Sequence, residues 1–222
     1  MPKDRFFADD PLLLDSLIQL DEKEQHHLRV MRLRPKEQIE VINGKGCLAK
    51  AEILSHGLKI VAVEMQSPPP EIILCQGLPR MNRLDTILEK GTEIGMSAVW
   101  LFPGDRSEKK ELSKNQIERA DHVLKAALKQ CGRLHLPRLK IMPPLAKWPS
   151  IEGQILYGTL EEGKRLPPLK APIYFFIGPE AGFSDKEEKL LFERGLGVSL
   201  NPAVLRTDTA PLVALSLLNY LY

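Results

Sequence analysis

Three consecutive prolines at residues 68–70 cut this chain into two regions with different hydrophobic patterns. A run of prolines is stiff and extended, and it fits neither a helix interior nor a central strand. Before it, short β-like runs lie at 38–42, 47–54 and 59–65, with Asn43 and Gly44 marking a tight turn between the first two. Residues 21–33 read as a helix that ends before Pro35. The expectation is a small β-rich domain over residues 1–67 with one helix.

After the prolines, apolar runs alternate with helical patterns. Residues 72–76, 98–102, 154–160, 173–177 and 197–200 read as strands, and 80–94, 113–131, 184–194 and 209–222 as helices. Capping signals mark the helices: Ser113 with Gln116 and then Gly132, Ser184 with Glu187, and Pro211 in the first turn of the last one. This alternation predicts an α/β domain with a mostly parallel sheet over residues 71–222. Such sheets bind ligands beyond the carboxyl ends of their strands.

Two segments belong there: 177–184 (IGPEAGFS) and 204–211 (VLRTDTAP). Each ends an apolar run in a turn and then starts a helix, an arrangement whose free backbone donors suit polar or anionic parts of a ligand. Gly178 and Gly182 either admit a ligand close to the backbone or simply permit a tight turn. Thr209 or Asp208 is a ready cap for the last helix. Capping does not require Arg206, and an arginine fixed there suits phosphate or negative charge developing on a substrate.

The formal net charge of +2 is neutral on nucleic acid, but Lys and Arg outnumber Asp and Glu between residues 106 and 140. The helix at 113–131 puts Ile117, Ala120, Leu124, Ala127, Leu128 and Cys131 on one side, and Arg119, His122, Lys125 and Lys129 near the other. With Arg106 and Arg133 nearby, that second side reads either as solvated surface or as a nucleic-acid contact. Arg29, Arg32, Arg34 and Lys36 form another basic cluster. Arg5 beside Phe6 and Phe7 pairs a phosphate binder with stacking rings, unless those rings pack down the terminus.

Other classes find no support. Cys47, Cys75 and Cys131 are scattered and form no CxxC pair, which argues against a disulfide framework or a zinc site. The adjacent His26 and His27 point to different sides of a helix, against paired metal ligation. There is no P-loop, GxGxxG, HExxH or GxSxG motif. The start lacks the apolar core of a signal peptide, and the uncharged end falls short of the ~20 residues of a membrane span. A cytoplasmic protein without membrane or metal is expected.

The segments IGPEAGFS, VLRTDTA, KGTEIG (90–95), KQCGR (129–133) and HHLRVMRLRP (26–35) together resemble the bacterial 16S rRNA uracil-N3 methyltransferases of the SPOUT superfamily. The resemblance covers almost the whole chain. It implies a PUA-like β-barrel RNA-binding domain followed by an α/β methyltransferase domain with a C-terminal deep trefoil knot. It also implies S-adenosylmethionine as methyl donor, a homodimer, and 16S rRNA or the small ribosomal subunit as partner. By motif position, the cofactor pocket comprises Leu160, Ile177, Gly178, Gly182, Leu200, Leu205, Arg206 and Thr207, with Arg206 also catalytic. The candidate RNA contacts are Arg5, Arg29, Arg32, Arg34, Arg106, Lys125, Lys129 and Arg133. Departures from the family pattern are Ala181 for glycine, Asp208 for glutamate, Lys129 for glutamate and Asn201 for glycine. Two other readings stand beside this one: a non-catalytic rRNA-binding assembly factor with a degenerate cofactor site, and a SPOUT enzyme acting on tRNA.

Overall fold

The computed structural model describes residues 5–161 and 164–222. It divides into two units: the chain up to Pro69 with Lys125–Leu136, and Pro70–Leu124 with Pro137–Tyr222.

The first unit is built on β1 (Arg5–Phe7), β2 (Leu17–Ile18), α1 (Glu22–Val30), β3 (Gln38–Ile42), β4 (Cys47–Leu54) and β5 (Gly57–Met65). The strands form one sheet in the order β1-β3-β4-β5-β2. β1 runs parallel to β3, and the remaining pairs are antiparallel. In β4 the residues Cys47, Ala49, Ala51 and Ile53 alternate inward, as a half-buried strand requires. They meet Phe6, Val41, Leu58 and Ile60 in a single core. Asp21 starts α1 by accepting the Glu24 N–H at 2.7 Å. The helix stops at Val30, short of the expected Leu33, because Arg32 takes a left-handed φ of 55°.

The stretch Lys125–Leu136 counts with this unit, whereas the sequence pattern assigned it to the second. Two apolar side chains explain the difference: Leu128 and Leu134 pack with Phe7 and Ile42. Backbone bonds add to this, from Gly46 N–H to the Leu134 carbonyl and from Leu136 N–H to the Gly44 carbonyl.

The second unit contains β6 (Ile72–Gly77), α2 (Met81–Ile94), β7 (Ala98–Phe102), most of α3 (Lys114–Cys131) and β8 (Arg138–Ile141). It continues with β9 (Gln154–Gly158), β10 (Ile173–Ile177), α4 (Asp185–Arg194), β11 (Leu196–Val198) and α5 (Thr209–Leu221). All six strands are parallel, in the order β11-β9-β10-β6-β7-β8. Central β6 is buried along its whole length, as expected for a parallel strand covered on both faces. β8 was absent from the sequence reading, since its exposed, charge-interrupted RLKI carries the pattern of an edge. Chain order reverses between β6 and β10, the position at which open parallel sheets form a ligand crevice. After β11 the chain returns to the end of β10, and α5 then packs on α2, β6 and β10.

Candidate cofactor and catalytic site

The apolar run of β10 ends at Ile177 and turns through Gly178, Pro179, Glu180, Ala181 and Gly182. The Gly182 N–H closes the turn on the Pro179 carbonyl at 2.9 Å, with Gly182 at a φ of 72°. That conformation suits glycine, whereas Ala181 does not adopt a positive φ and its methyl group is accommodated. Gly178 is needed for a different reason, since a Cβ there would lie 2.9 Å from the Gly182 carbonyl carbon. The turn leads into α4 through a complete capping box between Ser184 and Glu187. Buried Glu187 also accepts the Asp105 N–H at 3.0 Å, tying the loop after β7 to the start of α4.

The second segment arrives from β11. Asn201 Oδ1 accepts the Ala203 N–H at 2.8 Å, which folds the chain back. Thr207 is buried, and its hydroxyl donates to the Gly178 carbonyl at 2.9 Å. Gln76, at the end of β6, donates through Nε2 to the same carbonyl at 3.1 Å. Asp208 occupies the cap position of α5 but makes no side-chain cap bond. Its carboxylate turns instead toward Arg83 of α2, with Nη1 to Oδ1 at 3.6 Å. The first N–H groups of α5, from Thr209 and Ala210, bond to the Arg206 carbonyl at 2.9 Å each.

Between these segments lies a cavity of about 790 Å³, within the range of roughly 300–1,000 Å³ common to small-molecule sites. Leu160, Ile177, Gly178, Gly182, Leu200, Leu205, Arg206 and Thr207 all line it, so the structure gathers the eight expected pocket residues around one space. Leu160 lies beyond the end of β9, which stops at Gly158, and it is 73% exposed. Arg83, Gly158, Thr159 and Glu180 also line the space. Of these, sequence reasoning missed Arg83, Gly158 and Thr159. Arg83 looked like any charged residue in a first helical turn, but a polar Gln76 inside the buried run IILCQG was a readable signal.

Charge at the cavity is arranged in two ways. Arg83 Nε lies 3.5 Å from Glu180 Oε1, and that oxygen also accepts the Arg80 N–H at 3.0 Å. The Arg206 side chain is exposed, and among the described residues no ion pair or hydrogen bond engages it. These groups fit S-adenosylmethionine: Leu160, Ile177, Leu200 and Leu205 form apolar wall for a heteroaromatic ring. Glu180 and Arg83 put one charge of each sign on the wall for a zwitterionic tail, and Gly182, with open space where a Cβ would lie, permits close backbone approach. Among the described residues, no group of His, Cys, Asp or Glu is placed to hold a metal ion, and no helix is long and apolar enough to cross a membrane.

The candidate RNA contacts fall into two sets. Arg29, Arg32 and Arg34 are exposed on and after α1. Arg106 is also exposed and lies 3.1 Å from Asp185. The others are engaged inside the first unit. Arg5 is only 11% exposed and bonds Glu40 at 2.7 Å, while Phe6 and Phe7 are buried, so the pairing of a phosphate binder with stacking rings is corrected to a packed terminus. Lys129 is paired with Glu24. Lys125 sits 4.8 Å from the centre of the Phe7 ring and 3.8 Å from Asp9. Arg133 is half-buried, and loss of solvent lowers its pKa from the usual range. Arg119 of α3 pairs with Asp85 at 2.6 Å. The side of α3 expected to be a basic face is therefore largely neutralised by acidic partners.

Comparison with known proteins points to one family. The family described as RNA methyltransferase domain matches residues 66–219, and the RNA methyltransferase PUA domain matches 20–65. The Bacillus subtilis ribosomal RNA small subunit methyltransferase E is 30% identical, covering 89% of this chain and 88% of that protein. The enzyme of the same name from Buchnera aphidicola of Acyrthosiphon pisum is 26% identical, over 98% and 93%. A crystal structure of the Neisseria gonorrhoeae ribosomal RNA small subunit methyltransferase E bound to S-adenosylmethionine superposes with a TM-score of 0.87. It is 26% identical and covers 99% of this chain and 98% of that one.

Proposed function

The chain belongs to the RNA methyltransferase family, and from that premise we propose that it transfers a methyl group from S-adenosylmethionine to N3 of one uridine in 16S rRNA. The observation that carries this reading is the single cavity lined by all eight residues that the family resemblance implies. The knot implied by the resemblance belongs to the same reading, with residues 199–208 as the returning segment.

Bound in this cavity, S-adenosylmethionine supplies an electrophilic methyl group on a sulfonium. The protein's task is then positioning and control of charge. Uracil N3 lies on the Watson–Crick edge and carries a proton, so the target base must be unpaired or turned out and must lose that proton. Arg206, on the wall and free of protein partners among the described residues, stabilises the negative charge on the uracil carbonyl oxygens as the proton leaves. Glu180 and Asp208 both face Arg83. In this reading they order the two loops, and neither is assigned as the base.

The exposed Arg29, Arg32, Arg34 and Arg106 hold RNA phosphates. A homodimer is part of the proposal, supported by apolar side chains left exposed at the end of α5, at Tyr220, Leu221 and Tyr222. Sedimentation at twice the chain mass is the expected result, and a monomer at micromolar concentration would remove the dimer from the proposal.

The reading is tested in cells by deleting the gene and measuring 3-methyluridine in 16S rRNA by mass spectrometry. Loss of the nucleoside, restored by the wild-type gene and not by an Arg206→Ala copy, is expected. An unchanged 3-methyluridine content would overturn it.

A further inference from the structure

We propose that Gln76 is a positioning residue for the donor pocket, a buried clasp that holds the turn after β10 against the segment before α5. The inference rests on the reading of the cavity as an S-adenosylmethionine site. Gln76 is fully buried at the end of the central strand β6 and does not itself line the cavity. It acts through two residues that do line it, Gly178 and Thr207.

An amide is costly to bury unless its hydrogen bonds are made, and apolar residues fill the rest of this strand up to Gly77. Nε2 has three acceptors within reach: the Gly77 carbonyl at 3.0 Å, the Gly178 carbonyl at 3.1 Å and Thr207 Oγ1 at 3.4 Å. Thr207 Oγ1 donates in turn to the Gly178 carbonyl at 2.9 Å. Two chain segments, 102 and 131 residues from Gln76, thus converge on its NH₂ group. The other end of the amide is unused, since Oε1 is buried without a hydrogen-bond partner among the described residues. The arrangement is organised around the donor end, whose directional hydrogen bonds fix the relative positions of Gly178 and Thr207.

That asymmetry separates the clasp from ordinary core filling. Gln76→Leu keeps volume and removes the donors. Gln76→Glu keeps shape but presents a carboxylate oxygen to the Gly178 carbonyl, and should be the more damaging change. Two measurements on the full chain decide the matter.

In the donor-free protein, amide hydrogen exchange of residues 205–210 should speed up about tenfold or more in Gln76→Leu, with β7 amides keeping their protection. Calorimetric titration with S-adenosylmethionine should give a Kd about tenfold weaker than wild type, a change of about 1.4 kcal/mol. If Gln76→Leu does not fold, Thr207→Val removes the same contact from the loop side and should weaken donor binding, while Thr207→Ser, which keeps the hydroxyl, restores most of it. Exchange at 205–210 that is unchanged, or that rises only in step with β7, overturns the clasp. A wild-type protein that binds no donor overturns the cofactor reading instead, and the exchange result still decides the role of Gln76.

Discussion

Arg83 Nη1 lies 3.6 Å from Asp208 Oδ1, a buried oxygen that receives no hydrogen bond among the described residues. The same guanidinium faces Glu180 at 3.5 Å, so one arginine from α2 faces a carboxylate on each of the two loops that bound the cavity. Removing it leaves two acidic groups without their cation. Arg83→Ala should lower stability by about 1 kcal/mol, the loss of two partly exposed ion pairs. Donor affinity should fall as the loops separate. Arg83→Lys, which keeps the charge but loses the planar fork, should recover only part of both. Urea denaturation and donor titration of the three proteins check this.

Arg206 presents the opposite case, a cation on the wall with no protein partner among the described residues. If it stabilises charge that develops during transfer, Arg206→Ala should lower kcat about 100-fold while donor Kd changes by less than about fivefold. Single-turnover kinetics with saturating donor separates the two effects. Normal donor binding with normal turnover would remove Arg206 from the mechanism.

Gly178→Ala tests the close approach in the turn. The added methyl would sit 2.9 Å from the Gly182 carbonyl carbon, so the backbone must shift. A cost of about 1–3 kcal/mol is expected from overpacking, together with loss of measurable donor binding. A variant with wild-type melting temperature and affinity would show that this contact does not shape the site.

Much of the architecture was legible because it follows from local rules. The runs 98–102 and 173–177 are continuous and apolar, and both strands begin and end as read. The Ser184 and Glu187 spacing specified a capping box that the structure contains. The cavity was legible as two helix-entry turns. What escaped was non-local. The acidic partners of Lys125 and Lys129, Asp9 and Glu24, lie more than a hundred residues away in the chain, so periodicity alone made their side of α3 look basic. Arg5 was misread for the same reason, its partner Glu40 lying across a strand pair. Asp208 had the residue type of a cap, yet Arg83 from another helix draws its carboxylate away.

RNA affinity should respond to salt through the arginines that remain exposed. Replacing Arg29, Arg32 and Arg34 together by alanine should reduce the slope of log affinity against log salt by about 2, at roughly 0.7 per cation on single strands. Replacing Arg5 by alanine should leave that slope unchanged and cost stability instead. Filter binding across a salt series reads both outcomes.

The most direct measurement is transfer itself. Purified protein would be incubated with radiolabelled S-adenosylmethionine and small ribosomal subunits that lack uracil-N3 methylation, and the label mapped by fragment. Label at N3 of a single 16S rRNA uridine is the result predicted here. Label confined to tRNA, or no label on any RNA, would contradict it.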